Sequence, residues 1–517
     1  MVASVRHGKV PHVGHFGDDL GPHERCDRPC ELDSAVVDLE RLIAALAPTD
    51  VVGRVPAEVR DLAYDARSVD DGALFFCVPG QRVDGHDFAA EAVARGAVAL
   101  VVERPLELTV PQLVVPDSRA AMAVAADAFF GEPTSELAVA GVTGTSGKTT
   151  TAFLLYAVLA AAGRRPGLLG TVETRVNGER RPATRTTAEA IDLQRLFREM
   201  LDAGDRSCAM EATSHGSALK RLDRVRFAAL AFTNLSQDHL DFHRDLEDYF
   251  DAKRRLFVGD DAPPAAVNIG DAHGRRLAEE LRGRHTPLIT FGFADDAEIR
   301  PEGLDFSGPV TTLTAGGIPL RTRLRGRFNV ENVLATVAVA RLLEIADDAV
   351  ATGVGSIAGV PGRFETVDEG QPFTVVVDYA HKPGALENVL RTARGLTAGR
   401  VICVFGCGGD RDHGKRPQMG RIATELADVA IVTSDNPRSE DPQAIIDEVL
   451  AGTVGEPEVE PERRAAIEKA VELAEPGDVV VIAGKGHEPG QEIAGRITPF
   501  DDRNVARDAL RALRATA

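Results

Sequence analysis

The segment GVTGTSGKTT, from Gly141 to Thr150, predicts a phosphate-binding loop. It follows the apolar run LAVAGV and precedes the helical pattern TAFLLYAVLAAAG, so backbone N–H groups and a helix N-terminus can surround a polyphosphate. Val142 stands where the strict pattern has glycine, and we expect Gly141 and Gly144 to supply the turn instead. An ordinary glycine-rich turn is the alternative, which the order of strand, loop, Lys-Thr and helix disfavours. The loop therefore predicts ATP or GTP binding by Gly144, Thr145, Ser146, Gly147, Lys148, Thr149 and Thr150.

Side chains that could act on a bound triphosphate occur in this loop and in two later segments. Lys148 can reach the β and γ phosphates, and the Thr149 hydroxyl can help to hold Mg²⁺. MEATSHG and FTNLSQDHLDFH carry Glu211 and His239 beyond strand-like runs, where doubly wound folds bind ligands. Taken singly, each is as consistent with a solvated loop as with a metal site, but together with the loop they favour Mg²⁺. On spacing alone, Lys253 in DYFDAKRRLF would lie on a helix surface.

Three charged clusters occur in the last third of the chain. FGCGGDRDHGKRPQMG, TSDNPRSEDP and GKGHE contain Arg411, Arg438 and Glu488, and each cluster follows a strand-like run. Arginine beside carboxylates can hold a zwitterion, because the guanidinium binds its carboxylate and a glutamate binds its ammonium. The alternative is that these charged residues are only solvated loop residues. The presence of such a cluster after each of three strands disfavours that alternative.

The elements that must position these residues follow an α/β pattern. The chain has 517 residues, and a prior of roughly 150 residues per domain suggests about three domains. LERLIAALA and FAAEAVARGA predict helices, and GALFFCV and AVALVV predict strands, of a small first domain. RFAALAFTNL and AAVNIG continue the sheet that the phosphate loop opens, and TVVVDY, VICVFG, VAIVTSDN and DVVVIAG predict a third, doubly wound sheet.

Breaks in the apolar pattern give the domain boundaries. Residues 1–37 have little apolar periodicity, and we predict a disordered extension. FGEPTSEL and GSIAGVPGRFE interrupt the pattern further on and predict domains at 38–133, 134–357 and 358–517. Six cysteines in so long a chain predict free thiols rather than a disulfide framework.

Composition excludes several classes of protein. Seventy-nine acidic against 59 basic residues give a net charge of -20, which disfavours nucleic acid as a partner. No apolar run approaches the length of a membrane span, and the first residues lack the apolar stretch of a secretory signal. We expect a cytoplasmic monomer that acts on small molecules without membrane insertion.

The order of the motifs resembles that of the Mur ligases over essentially the whole chain after the extension. GTSGKTT, TNLSQDHLDFH, NVENVLA, PGRFE, DYAHKPGAL, GCGGDRDHGKRP, DNPR and GKGHE occur in family order and approximate spacing. The resemblance implies a small UDP-sugar domain, a P-loop ATPase domain with a parallel sheet and a Rossmann-like C-terminal domain. It also implies ATP-dependent amide-bond formation through an acyl phosphate, in peptidoglycan precursor synthesis.

The resemblance implies roles for particular residues. Lys148, Lys253, Glu211 and His239 would be catalytic, with Lys253 carbamylated and Thr149 completing the Mg²⁺ ligands. Further ATP-binding residues would be Asn329, Asn332, Arg363, Asp378, Tyr379 and His381. The UDP-muramoyl-dipeptide would lie near Asp65, Ala66, Arg67, Gln81, Arg82, Val83, Thr186, Thr187, Thr213 and Arg221.

DNPR matches the family variant that selects meso-diaminopimelate, whose distal carboxylate and ammonium need a charged receptor. The diaminopimelate residues would be Arg411, Asp435, Asn436, Pro437, Arg438, Gly484 and Glu488. Lysine lacks the distal carboxylate and would leave a buried guanidinium unpaired. A lysine-adding member, a folylpolyglutamate synthetase and a nucleotide-sensing protein without ligase activity are the alternatives.

Three positions and one motif depart from the usual family pattern. Ala66 and Thr213 stand where serine is frequent, Ala188 follows the threonine pair in place of proline, and HKPG replaces the commoner HTPD. These departures bear on individual contacts, mainly in the first domain, more than on the activity.

Overall fold

The apolar runs predicted as strands form three mainly parallel sheets, one in each third of the chain. A computed structural model describes residues 37–80, 83–259, 261–308 and 310–516. The predicted N-terminal extension lies outside these residues except for Val37. Helices alternate with the strands of each sheet, which confirms the predicted α/β class.

The N-terminal domain has seven short strands and three α-helices among its described residues. The strands are β1 (Val37–Asp38), β2 (Asp50–Val52), β3 (Glu58–Val59), β4 (Asp61–Ala63), β5 (Ala73–Phe76), β6 (Ala99–Val102) and β7 (Gln112–Val114), and the helices are α1 (Leu39–Leu46), α2 (Ala89–Ala94) and α3 (Ser118–Phe129). β2-β7-β6-β5-β4 form one sheet, in which only the β2–β7 pair is antiparallel, and β1 pairs with β3. Short 3₁₀ turns occur at Ala66–Ser68, Gly85–Phe88 and Pro133–Ser135.

The central domain contains an eight-stranded sheet and a three-stranded antiparallel sheet. The strands are β8 (Ala138–Thr143), β9 (Pro166–Leu169), β10 (Glu173–Val176), β11 (Glu179–Pro182), β12 (Ser207–Glu211), β13 (Phe227–Phe232), β14 (Ala265–Asn268), β15 (Leu288–Phe291), β16 (Pro301–Asp305), β17 (Thr311–Ala315) and β18 (Ile318–Thr322). The helices are α4 (Lys148–Ala161), α5 (Ala190–Asp202), α6 (Ser214–Ala218), α7 (Leu246–Arg254), α8 (Ala272–Gly283), α9 (Arg327–Leu342) and α10 (Asp347–Ser356). The larger sheet has the order β11-β10-β9-β12-β8-β13-β14-β15, in which the β11–β10 and β10–β9 pairs are antiparallel and the other pairs are parallel.

The C-terminal domain has a six-stranded sheet in the order β19-β20-β24-β21-β22-β23 and a separate hairpin of β25 and β26. The strands are β19 (Glu365–Val367), β20 (Thr374–Asp378), β21 (Val401–Phe405), β22 (Val429–Val432), β23 (Glu458–Val459), β24 (Val479–Ala483), β25 (Gly490–Ile493) and β26 (Arg496–Pro499), and the helices are α11 (Pro383–Leu396), α12 (Lys415–Leu426), α13 (Pro442–Leu450), α14 (Arg463–Leu473) and α15 (Asp502–Thr516). Edge strand β19 is antiparallel to β20, and the other neighbours in the sheet are parallel.

Burial on both faces explains why the strands appear as continuous apolar runs. In β21, Val401, Cys403 and Phe405 pack into one core, and Ile402 and Val404 pack into the core on the opposite face. Successive strand side chains point to opposite faces, so a sheet covered by helices on both sides needs apolar residues at every position.

The strand order brings distant segments to one edge. β12, β8 and β13 are neighbours, so Glu211 at the end of β12 lies beside the phosphate loop after β8 and the TNLSQDH segment after β13. In the C-terminal domain, β20, β24, β21 and β22 end next to one another, before the segments that contain Tyr379, Gly484, Gly408 and Asp435. Ligand sites of open α/β sheets lie at such carboxyl ends.

Polar contacts join the N-terminal and central domains. The Tyr64 hydroxyl donates to Asp192 Oδ2 at 2.7 Å, and Arg226 forms a two-bond pair with Asp127 at 3.0 and 3.1 Å.

No helix among the described residues combines the length and apolar character that crossing a membrane requires. Four of the six cysteines lie in the described part of the chain, and all four are buried free thiols, as predicted for them.

Candidate active site

The phosphate loop closes tightly around two glycines. Gly144 and Gly147 have φ of +142° and +89°, and a Cβ added to them would lie 1.9 Å from Thr233 Oγ1 and 2.4 Å from Asn332 Oδ1. The expectation that Gly141 helps to form the turn is wrong, because Gly141 lies inside β8 and faces the Phe227 side chain. Gly144 and Gly147 therefore form the turn.

Lys148 points back into the loop. Its ammonium donates to the carbonyl oxygens of Gly144 and Thr145, both at 2.9 Å. Burial lowers the pKa of Lys148 to about 8. The Ser146 N–H donates to Asn234 Oδ1 at 3.0 Å, so the following strand end also fixes the loop. A bound phosphate would offer this ammonium a stronger, charged acceptor than the carbonyls it contacts.

Glu211 is a buried carboxylate at the edge of the loop, with 1% of its surface exposed. It accepts hydrogen bonds from the Thr149 hydroxyl at 3.1 Å and from Thr171, through N–H at 2.7 Å and hydroxyl at 3.1 Å. Arg363 of the C-terminal domain donates to the same Thr149 hydroxyl at 3.2 Å. Thr149 thus connects a carboxylate of one domain with a cation of another.

Lys253 is buried behind the loop, not on a helix surface, so the interpretation from spacing alone is wrong. Only 1% of the residue is exposed, its ammonium donates to the Gly144 carbonyl at 2.9 Å, and it lies 4.5 Å from the centre of the Tyr249 ring. Burial, together with the nearby Lys148 charge, holds the pKa of Lys253 well below its usual range. This environment therefore favours the neutral amine more than water does.

His239 also lies near Tyr249, with 6.0 Å between the ring centres. Its φ is +53°, its Nε2 is 2.9 Å from Asp238 Oδ2, and its ring packs edge-on against His215. Burial lowers the pKa of His239. The described residues contain no group of three His, Cys, Asp or Glu side chains close enough to hold a metal ion. A Mg²⁺ ion needs fewer protein ligands, because it keeps water molecules and binds phosphate oxygens beside one or two carboxylates.

Residues of the C-terminal domain complete the wall of the space beside the phosphate loop. The Arg363 guanidinium lies 4.4 Å from the centre of the Tyr379 ring, and His381 Nδ1 is 2.7 Å from the Tyr379 carbonyl oxygen. Burial raises the pKa of Asp378 to about 6, and its Oδ2 accepts the Phe364 N–H at 2.7 Å. These side chains and the phosphate loop line one cavity of about 870 Å³.

Most of the predicted nucleotide residues line this cavity. They are Thr145, Ser146, Gly147, Lys148, Thr149, Thr150, Glu211, His239, Asn332, Arg363, Asp378, Tyr379 and His381. Asn329 lies behind Asn332 and accepts a hydrogen bond from its amide at 3.1 Å. Gly144, which belongs to the loop, and Lys253, which donates to its carbonyl from beneath, do not line the cavity.

The same cavity reaches Thr186, Thr187, Thr213 and Arg221. The Thr187 hydroxyl donates to the Glu211 carbonyl oxygen at 2.9 Å, and the Thr213 hydroxyl donates to Thr187 Oγ1 at 3.1 Å. Arg221 donates to the Thr187 carbonyl oxygen at 3.0 Å. Four of the predicted dipeptide residues therefore adjoin the phosphate loop.

Of the predicted uridine residues, the four that the structure describes, Asp65, Ala66, Arg67 and Val83, do not line this cavity. Arg67 is mostly exposed and pairs with Asp65, with Ala66 buried between them, and Val83 is exposed. Gln81 and Arg82 lie outside the described residues.

A second cavity, of about 430 Å³, adjoins the first. Of the predicted diaminopimelate residues it is lined by Arg411, Asp435, Asn436, Arg438, Gly484 and Glu488, and Pro437 is absent from its lining. Asn436 Nδ2 donates to Glu488 Oε2 at 2.8 Å, and Arg438 Nη1 donates to the Gly409 carbonyl oxygen at 2.7 Å. Ser146, His239 and Arg411 line both cavities, so the phosphate loop and the DNPR segment face one continuous space.

Several cavity residues were missed from the sequence. The larger cavity is also lined by Thr171, Asn234, Arg185 and Lys382. Just behind it, Glu189 forms ion pairs with Arg185 at 2.9 Å and with Arg221 at 2.7 Å. Lys382 could have been found, because it is the lysine of HKPG where threonine is commoner. Asn234 could also have been found, because it lies in the TNLSQDHLDFH motif, whereas Thr171, Arg185 and Glu189 lie in segments without a motif of their own.

Comparisons with known proteins match the chain to one family over most of its length. Family models match as "Mur ligase family, catalytic domain" at residues 58–146, "Mur ligase middle domain" at 142–340 and "Mur ligase, glutamate ligase domain" at 362–486. The UDP-N-acetylmuramoyl-L-alanyl-D-glutamate–2,6-diaminopimelate ligase of Solibacter usitatus is 45% identical over 493 residues, which cover 93% of this chain and 98% of that protein.

Solved structures give the same result. A structure of a UDP-N-acetylmuramoyl-L-alanyl-D-glutamate–2,6-diaminopimelate ligase is similar with a TM-score of 0.65 and 31% identity, covering 91% of this chain and 98% of that one. A MurF ligase from Thermotoga maritima in complex with ADP has a TM-score of 0.61 at 20% identity, covering 89% and 99% of the two chains, and shares the fold.

Proposed function

Because the chain belongs to the Mur ligase family, we propose that it joins meso-diaminopimelate to UDP-N-acetylmuramoyl-L-alanyl-D-glutamate at the expense of ATP. The product would be a precursor of peptidoglycan, the material of the bacterial cell wall. The observation that carries the proposal is the continuous space between the Lys148 loop and the Arg438 segment. A ligase needs its triphosphate and its incoming amino acid on the two sides of one reacting carboxyl group.

The reaction has two balanced steps. In the first, a carboxylate oxygen of the D-glutamyl residue attacks the γ-phosphorus of ATP, the bond from that phosphorus to the β–γ bridging oxygen breaks, and ADP leaves. In the second, the amine of diaminopimelate attacks the acyl phosphate carbon, phosphate leaves with its bonding electron pair, and the amine loses a proton. The product is an amide, with ADP and phosphate.

The chain's own cations would bind and orient the triphosphate. We assign Lys148 to the β and γ phosphates, because its ammonium needs only to exchange two carbonyl acceptors for phosphate oxygens. Arg363 adds a second cation from the C-terminal domain and already contacts Thr149. Closure of the two domains around the reacting groups would exclude water and protect the acyl phosphate from hydrolysis.

Thr149 and Glu211 fit one Mg²⁺ ion, since a hydroxyl and a buried carboxylate hydrogen-bond to each other beside the loop. His239 and a carbamylated Lys253 would hold a second ion. When bound, Mg²⁺ supplies positive charge that offsets the charge of the phosphate oxygens. The low pKa of Lys253 supports carbamylation, because only the neutral amine can add CO₂, with loss of one proton, to give a carbamate.

The second cavity supports a diamino acid with a distal carboxylate. Arg438 and Arg411 are cations for carboxylates, and Glu488 and Asp435 are acceptors for ammonium groups. L-Lysine would leave a guanidinium without its anion, which disfavours the lysine-adding alternative. We further propose that the enzyme acts as a monomer in the cytoplasm, where ATP is available. Gel filtration with light scattering tests the monomer.

A coupled assay of phosphate release tests the proposal. Purified protein should release phosphate from ATP only when both UDP-muramoyl-dipeptide and an amino acid are present, and meso-diaminopimelate should be strongly preferred to L-lysine. Phosphate release that does not depend on the dipeptide would favour the nucleotide-sensing alternative. Equal kcat/KM for the two amino acids would refute the role of Arg438.

A further inference from the structure

Lys382 forms a partly buried ion pair across the boundary of the central and C-terminal domains. It precedes Pro383, the first residue of α11, and its ammonium contacts Asp238 Oδ2 in the segment that follows β13. The two side chains are 17% and 12% exposed. Because both charges are largely shielded from water, removing one would leave the other poorly compensated, so this contact constrains both segments.

Asp238 also contacts His239, so the ion pair restricts the position of His239 as well. The same Oδ2 atom that contacts Lys382 is 2.9 Å from His239 Nε2. His239 has a left-handed backbone with φ of +53°, which is uncommon for a residue with a side chain and needs its surroundings to maintain it. The ring direction of His239 therefore depends on Asp238, and the position of Asp238 depends on a cation from the other domain.

The location of the pair agrees with this arrangement. Lys382 lines both cavities, as His239 does. The pair thus lies where the nucleotide space meets the amino-acid space.

We propose that Lys382 is a positioning residue: its ammonium, supplied by the C-terminal domain, fixes Asp238 and through it aims His239 at the nucleotide cavity. His239 is then correctly oriented only when the C-terminal domain covers the phosphate loop. This coupling prevents the central domain alone from assembling a complete site, which would waste ATP. The inference rests on the proposed function for the reaction it serves, and on the ion pair for its structure.

A double-mutant cycle separates this role from direct phosphate binding. Lys382→Met should lower kcat at least about tenfold with a much smaller change in KM for ATP, and Lys382→Arg should restore most of the rate. Asp238→Asn should have a similar effect, and the double variant should be no slower than the slower single variant. Losses that multiply in the double variant would overturn the proposal, because Lys382 would then act independently of Asp238.

Hydrogen exchange of the intact chain gives a second readout that needs no ligation. Lys382→Met should speed amide exchange in the segment 236–243 and leave the distant strand β14 unchanged. Lys469→Met is the matched control, since Lys469 forms an exposed ion pair with Glu458 inside the C-terminal domain. Unchanged exchange in 236–243, or equal acceleration in both variants, would refute the positioning role. If the wild-type chain failed to ligate but the exchange result held, the proposed function would fail and the ion-pair inference would stand.

Discussion

Replacing Arg438 should remove discrimination between diaminopimelate and lysine. Its side chain is 24% exposed, its Nη1 donates to the Gly409 carbonyl oxygen at 2.7 Å, and Glu492 is 3.8 Å away. The guanidinium thus retains donors for a substrate carboxylate in a partly desolvated site. Arg438→Met keeps the apolar stem and removes the charge.

The size of the effect follows from the lost interaction. A hydrogen bond to a charged group contributes about 1.5–3 kcal/mol, which corresponds to a loss of about 10- to 150-fold in kcat/KM. Only the reaction with meso-diaminopimelate should show this loss, because lysine has no distal carboxylate. The kcat/KM for L-lysine should stay within about threefold of the wild-type value.

The assay compares initial rates of ADP formation with each amino acid at saturating ATP and dipeptide. Arg496→Met is a suitable control, since Arg496 is an exposed residue of the neighbouring hairpin strand β26. The reasoning is refuted if Arg438→Met uses diaminopimelate as well as the wild-type chain does. It is also refuted if the variant loses activity equally with both amino acids.

Three further predictions concern the phosphate loop and its surroundings. Lys253→Ala should lower kcat by about two orders of magnitude, and a small carboxylate should partly rescue it in the ADP assay; near-normal activity would contradict the carbamate. Gly147→Ala should abolish ATP binding in calorimetry, because the added Cβ would lie 2.4 Å from Asn332 Oδ1, whereas Gly178→Ala, with a similar φ of +78° and nothing within 4 Å, should bind normally. Asp378, whose pKa burial raises to about 6, retains its proton in the folded chain over a range where the unfolded chain has lost it, between about pH 4 and 6. The free energy of unfolding should therefore fall as pH rises through that range, and Asp378→Asn should show a shallower fall in urea titrations; an unchanged slope would contradict the assignment.

The sequence predicts the fold well where local pattern and burial agree. The runs in β21 and β24 are apolar at every position because both faces are covered, and this predicts parallel sheets without further information. The antiparallel sheet of β16–β18 carries a weaker signal, since its strands are partly exposed. It was not predicted.

Contacts between distant segments determine the positions of several site residues that residue spacing alone cannot predict. Lys253 lies on a helix whose sequence is mostly polar, and only the packing of α7 beneath the phosphate loop buries its ammonium. Gly141 belongs to the strand because Phe227 of the neighbouring strand needs the space. Lys382 meets Asp238 from 144 residues away, a pairing that requires the relative position of two domains.

Transfer of oxygen from substrate to phosphate would test the central claim most directly. UDP-muramoyl-dipeptide labelled with ¹⁸O in both oxygens of its reacting carboxyl group would be incubated with ATP, Mg²⁺ and meso-diaminopimelate, and the released phosphate would be analysed by mass spectrometry. The account predicts one ¹⁸O atom in every phosphate released during ligation, because the carboxylate oxygen leaves with the phosphoryl group. Unlabelled phosphate accompanied by amide product would contradict an acyl phosphate.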